Sequence, residues 1–187
     1  MPPGIANYRT GNGLDLELSQ AGRHDVKGMR EVCDRAFKRS DEGNLVDKLY
    51  KDAHVAFSLS AEMDSVIVGL AIFSKLKVQS NIEQPIQGVA LGPVAVWPEN
   101  QNLGIGSALI RHGIETCRHS CHDYDFAVVL GNPLYYSRFG FSSKLAKKIR
   151  SPYSGAGDDF MALELKPHSL DAVSLDIFYP PSFALVS

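Results

Sequence analysis

With 187 residues, 44% of them hydrophobic, the chain has the length of one domain and enough apolar surface for a substantial core. Its formal net charge of -2 argues against a broad electrostatic grip on nucleic acid, which needs a basic face to displace counterions from phosphate. No run of about eighteen apolar residues could span a bilayer, the opening "MPPGIANYRTGNG" lacks the apolar centre of a signal peptide, and three cysteines suit reduced thiols, so a cytoplasmic protein is expected.

Residues 1–13, rich in Pro, Gly and Asn, read as a flexible N-terminal tail, and residues 14–187 as a single domain. "LDLELS" (residues 14–19) alternates apolar and polar, as a half-buried strand does. Val26, Met29, Cys33 and Phe37 recur at helical spacing, which predicts an amphipathic helix over 25–37, and a short second helix is expected over 44–50. Two strands follow at 54–61 and 65–78, with the polar "EMD" between them suiting a hairpin turn. A strand over 89–97, a helix over 102–119, a strand over 125–131 and two late strands at 160–165 and 174–179 complete the order. That order is mixed α+β, because strict alternation of strand and helix is missing before residue 87. Residues 144–159 read as one long irregular segment, a kind of loop that is often functional or mobile.

The informative stretch is "LGPVAVWPENQNLGIGSALIRHGIETC", residues 91–117. Gly104 and Gly106 sit between a strand and a helix, where peptide N–H groups lack intrahelical partners and the helix dipole favours an anion. A tight turn with close helix packing accounts for two glycines equally well, so the specific phosphate motifs must be tested. A Walker loop needs lysine and a hydroxyl residue after its second glycine, and Ser107-Ala108 follow Gly106. A dinucleotide fingerprint needs a small residue where Leu109 stands, and an acid at the end of the next strand, whereas Asp125 begins that strand. Both nucleotide readings fail. Pro93 has no N–H for a sheet ladder and Gly92 weakens the strand before it, so a bulge or lost pairing is expected there. Backbone groups of Val94, Ala95 and Val96 would then be open to an extended ligand bearing amides, leading into a phosphate site. A molecule with amides at one end and pyrophosphate at the other is coenzyme A.

Gln101-Asn102-Leu103-Gly104-Ile105-Gly106 resembles the Q/R-x-x-G-x-G/A motif of the GNAT superfamily of acetyl-CoA-dependent N-acyltransferases, and "LGNPLYYSRFGF" (residues 130–141) resembles the segment that closes their cofactor site. "RSPYSGAGDDFMALEL" and "YPPSF" are similar to the tail of the bacterial YhbS-like acetyltransferases. The resemblance implies a central mixed, mostly antiparallel sheet flanked by helices and split between its fourth and fifth strands, with acetyl-CoA as co-substrate in the split. It implies that backbone groups of Val94 and Val96 pair with pantetheine, that amides from Asn102 through Leu103, Gly104, Ile105 and Gly106 to Ser107 bind pyrophosphate, and that Asn132 bonds near the pantetheine. Tyr136, four residues before Gly140, falls where the family often carries the tyrosine that protonates the departing thiolate. The implied reaction is transfer of an acetyl group to an amine of a small molecule or peptide by direct attack in a ternary complex. Late strands in such folds often pair across a dimer, so a homodimer is a candidate assembly.

A phenol is a usable proton donor, although Tyr136 beside Tyr135 and Phe139 also fits a packing role. No ionisable residue lies in 88–97 to serve as base; Glu83, Glu31 and Asp34 are nearby acids whose ordinary fate is a solvated surface. "CRHSCHD" offers Cys117, His119, Cys121 and His122, yet no second ligand pair completes a tetrahedral site, and Cys117 and Cys121 continue the apolar stripe of Ile110 and Ile114; no metal is expected. The missing strand acid keeps a second reading open, a non-catalytic acyl-CoA-binding module.

Overall fold

Side chains alternate in direction along a strand, so each near-continuously apolar central strand presents two apolar faces, and the chain covers both. The computed structural model describes residues 6–10, 13, 15–119, 124–171 and 173–186. A seven-stranded sheet runs in the order β1 (Ala6–Arg9), β2 (Asp15–Ala21), β3 (Val55–Met63), β4 (Val66–Lys75), β6 (Gly88–Val96), β7 (Phe126–Leu130), β9 (Phe160–Glu164). Every neighbouring pair is antiparallel except β6 and β7, which are parallel. A second sheet of three strands joins β5 (Lys77–Ser80), β10 (Leu175–Phe178) and β8 (Ile149–Arg150).

One face of the large sheet carries α1 (Val26–Phe37) and α2 (Asp41–Lys51); Met29, Val32, Leu45 and Leu49 bury themselves against Leu70 and Ile72 of β4. The other face carries α3 (Ile105–His119), whose Ile105, Leu109 and Ile110 pack with Ala71 and Phe73 of the same strand. On β7, Ala127 and Val129 join the α3 side, while Phe126 and Val128 face a third cluster built with the small sheet and α5 (Ser143–Ala146). Asp125 ties these layers together: its carboxylate accepts from the Gln87 N–H at 2.7 Å and from Lys166 Nζ at 2.8 Å, at the foot of β6 and β7.

Three expectations are corrected. Residues 6–9 lie inside the segment read as a tail but form β1, because the outer edge of β2 offers an unpaired ladder and Tyr8 finds an apolar surface to pack on. The run 65–78 divides at Leu76 into β4 and β5, which belong to different sheets; the preceding turn is the tight pair Asp64-Ser65, both at positive φ (50° and 63°), between Met63 and its partner Val66. Residues 144–159 are ordered in short pieces, most of α5, then β8 and a 3-10 stretch at Ser154–Asp159, rather than one irregular loop. Among the described residues, no helix is long and apolar enough to cross a membrane.

Candidate active site

The site begins where β6 loses a partner. Gly88 to Leu91 pair with Phe126 to Val129 on β7, and the ladder stops there. Across on β4, the register slips between Ala71 and Phe73, so that Gly92 and Pro93 together oppose Ile72, the bulge that a prolyl nitrogen requires. Beyond it the Trp97 N–H donates to the Val68 carbonyl of β4 at 2.8 Å. Peptide groups alternate in direction along a strand, so those of Val94 and Val96 turn away from β4, into the gap left by β7. A cavity of about 450 Å³ opens in that gap, lined by Val94, Ala95 and Val96 at one end and by the turn before α3 at the other.

That turn holds the chain in two left-handed conformations, Asn102 at φ 63° and Gly104 at φ 86°. The Gly104 carbonyl accepts the first helical bond, from the Ala108 N–H at 2.9 Å, so the N–H groups of Ile105, Gly106 and Ser107 have no partner within the helix. α3 therefore starts at Ile105, three residues later than its apolar pattern suggested. A Cβ on Gly106 would stand 2.9 Å from the Tyr135 hydroxyl, so glycine keeps this end of the cavity open.

The opposite wall is α4 (Pro133–Tyr136) and the 3-10 turn Ser137–Phe139. Asn132 caps α4 by accepting from the Leu134 N–H at 2.9 Å, with Pro133 preset in the first turn. Gly131 allows the Tyr136 ring to lie against the main chain, since a Cβ there would press on that ring. Tyr136 is half-buried, edge-on to Tyr135 and Phe141 at 5.0 and 6.0 Å between ring centres. Burial, and secondarily Tyr135, pushes its phenol up from 10.0 to about 12, so it holds its proton at neutral pH.

Of the residues singled out in the sequence, Val94, Ala95, Val96, Gln101, Asn102, Gly104, Ile105, Gly106, Ser107 and Tyr136 line this one cavity. Leu103 instead packs its side chain on the α3 core. Gln101 reaches back inside the chain, donating from Nε2 to the Val96 carbonyl at 3.0 Å. Asn132 lines a second cavity of about 440 Å³ on the far side of Tyr136. Three site residues escaped sequence reasoning. Arg138 donates to Ser107 Oγ at 3.2 Å and lies 4.1 Å over the Tyr135 ring, placing a cation beside the glycine turn. The Tyr8 hydroxyl would be 3.0 Å from a Cβ on Gly104. Glu42 lines the second cavity with its side chain only 8% exposed. A cation two residues after a paired tyrosine could have flagged Arg138; nothing local marks the other two.

The other acids stay away: Glu31 and Glu83 are exposed, and Asp34 faces Arg30 at 3.5 Å. Cys117 is buried and its thiol is pushed up by desolvation, His119 bonds the Glu115 carbonyl at 3.0 Å, and Cys121 and His122 lie outside the described residues. Among the described residues, no group of three His, Cys, Asp or Glu could hold a metal ion.

A split mixed sheet with a glycine-opened helix at the end of the gap defines the GNAT class of acyltransferases. Residues 17–143 match the family described as the acetyltransferase (GNAT) domain, and the chain belongs to that family. It is 38% identical over 122 residues to the uncharacterized N-acetyltransferase YjhQ of Escherichia coli, a match spanning 64% of this chain and 65% of that one. It is 28% identical over 160 residues to the uncharacterized N-acetyltransferase YhbS of the same species, covering 85% and 93%. The crystal structure of E. coli YhbS in complex with CoA shares the fold at a TM-score of 0.81 and 24% identity, over 98% of this chain and 95% of that one. A GNAT family acetyltransferase from Brucella melitensis, in complex with acetyl-CoA, superposes at 0.70 with 29% identity, covering 90% and 97%.

Proposed function

We propose that this enzyme, a single acyltransferase domain that takes in β1 as well as residues 14–187, binds acetyl-CoA in the split and transfers the acetyl group directly to an amine of a small molecule or peptide. The observation that carries this reading is the continuity of the 450 Å³ cavity, which runs from the gap-facing backbone of Val94 and Val96 to the first-turn N–H groups of α3 that have no partner within the helix. Those two ends suit amides and pyrophosphate respectively, and Arg138 adds a positive charge at the phosphate end. The fit is also steric, since the space a Gly106 side chain would fill is the space beside the helix N-terminus.

Acetyl-CoA supplies an activated acyl group. As the C–N bond forms and the C–S bond breaks, nitrogen loses a proton and sulfur gains one. Tyr136 stands on the wall of the split with its phenol protonated, which suits the role of donor to sulfur. A backbone N–H near Val96 suits polarisation of the acyl oxygen, because a fixed donor aimed at developing charge lowers the barrier. Calorimetric titration with acetyl-CoA followed by thiol release over an amine panel tests the reading. Saturable binding and release with at least one amine are expected. Failure to bind would overturn the cofactor site, and binding without release over the whole panel would favour the non-catalytic acyl-CoA-binding module.

A further inference from the structure

Three consecutive side-chain amides, Asn100, Gln101 and Asn102, lead from the open strand into the glycine turn, and all three residues line the cavity of about 450 Å³. Their circumstances differ. Gln101 is exposed and spends its amide inside the chain, on the Val96 carbonyl at 3.0 Å, which folds this segment back over the end of β6. Asn102 is exposed too, and its left-handed backbone, φ 63°, accounts for an asparagine there without any contact from the side chain. Asn100 is the exception: only 7% of its surface is exposed, and among the described residues its side chain has no hydrogen-bond partner.

The fold makes no use of that amide. The 3-10 turn Pro98–Asn100 is closed by main-chain groups, the Asn100 N–H donating to the Trp97 carbonyl at 2.9 Å and the Gln101 N–H to the Pro98 carbonyl at 3.3 Å. Arg35, in the last turn of α1, fastens it from outside, donating to Glu99 at 2.7 Å and lying 4.0 Å over the Trp97 ring. An apolar residue at position 100 would cost the turn none of these bonds. A buried amide without a partner is both costly and rare, so one placed in the wall of a ligand cavity points to a partner that the chain does not supply.

We propose that Asn100 is a binding residue for the pantoyl unit of acyl-CoA, the stretch that joins the pantetheine amides to the pyrophosphate. A primary amide donates through nitrogen and accepts through oxygen at the same time, and the pantoyl unit offers the matching pair, a hydroxyl beside a carbonyl. The place agrees, because the bond from Gln101 to Val96 holds this segment at the junction of the open strand with the glycine turn. Pyrophosphate, which only accepts, would use half of the amide, and it has the first-turn N–H groups of α3 and Arg138 available to it. The inference rests on the acetyl-CoA reading and adds a buried side chain to a site built mainly from backbone.

The test is Asn100→Leu, close in shape to asparagine, with Asn100→Ala as the second variant, which cannot crowd its surroundings. Calorimetric Kd is measured for CoA and, by competition with CoA, for ADP, which carries the pyrophosphate but no pantoyl arm; melting temperature is recorded without ligand. Both variants are expected to weaken CoA by about tenfold, the loss of one well-placed hydrogen bond, and to leave the ADP Kd within about twofold of wild type. The melting temperature of Asn100→Leu should equal or exceed that of wild type, since no bond within the fold is removed. An unchanged CoA Kd in both variants would overturn the proposal, and so would an equal loss for ADP, which would put the amide on phosphate. A lowered melting temperature in both variants would make Asn100 a structural residue instead. Failure of CoA to bind the wild-type protein would overturn the reading on which the inference rests.

Discussion

From Val89 to Leu91, β6 is paired on both sides, whereas from Val94 to Val96 it is paired with β4 alone. The two halves are similarly apolar; what separates them is Gly92-Pro93 and the bulge it imposes. The paired half spends its backbone groups on the sheet and its side chains on the core, and it is fully buried. The open half is half-buried at Val94 and Val96 and has peptide groups directed into a cavity. Binding capacity in this fold is thus a ladder left unfinished, which implies that substitutions at the open end should change chemistry and those at the closed end stability.

The largest effect is expected at the open end from Tyr136→Phe, which keeps the ring and removes the proton. Turnover should fall about 10²- to 10⁴-fold, equivalent to roughly 3–5 kcal/mol of barrier, while acetyl-CoA affinity moves far less. Tyr135→Phe is the control for ring crowding. Steady-state turnover with direct cofactor binding decides it, and retention of half the wild-type turnover where chemistry limits the rate would remove Tyr136 as the acid. The same phenol shapes the alkaline limit of stability. Because its pKa rises from 10.0 to about 12 on folding, its stabilising contribution is complete below pH 10 and is lost as pH rises through 12. Buried Cys33, raised from 9.0 to about 12 by desolvation and by Glu42 and Asp34, acts with the same sign from pH 9 upward. Melting temperature should accordingly hold up to about pH 9 and decline beyond it. A decline already under way below pH 8 would contradict these shifts.

At the closed end, Gly88→Ala sets a methyl group against the Phe126 ring. Overpacking of this kind costs about 1–3 kcal/mol, read as a lower denaturant midpoint, and acetyl-CoA affinity of the folded protein should be unchanged. A loss of affinity without a loss of stability would erase the distinction between the halves. Gly106→Val should do the reverse. It crowds the helix N-terminus and should weaken acetyl-CoA by about tenfold, roughly 1.4 kcal/mol, in a protein that still folds. Gly104 is the poorer probe, since a side chain at its left-handed φ of 86° carries a backbone penalty of about 1–2 kcal/mol as well. The smallest effect is expected from Arg138→Ala: a few-fold loss of acetyl-CoA affinity at low salt that narrows as ionic strength rises, because the guanidinium is exposed and screened. A salt-independent loss would assign Arg138 to packing on Tyr135 instead.

Most of the open half could be read in advance. Gly92-Pro93 announces a bulge because a missing N–H is a property of the residue itself, and Gly104 and Gly106 announce a turn for the same kind of reason. The amphipathic patterns of α1, α2 and α3 and the alternation of β2 were legible because apolar spacing records which side of an element faces inward, and β3, β7, β9 and β10 were legible as short strand-like runs. It does not record what that side meets. The run 65–78 has one continuous apolar pattern, yet β4 and β5 part at Leu76 because their partners, β6 and β10, come from different places in the chain. Residues 6–9 carry too little pattern to predict a strand and acquire one from the free edge of β2. Glu42 looked like any acid on a polar helix turn, and only the packing of α2 over the split brought its carboxylate, paired with Arg39, to the wall of the second cavity. The backbone features of the open strand and the glycine turn were therefore written locally, whereas the second cavity was decided by tertiary contacts, because it is assembled from α1, α2, the end of β7 and the C-terminal turn, segments far apart in the chain.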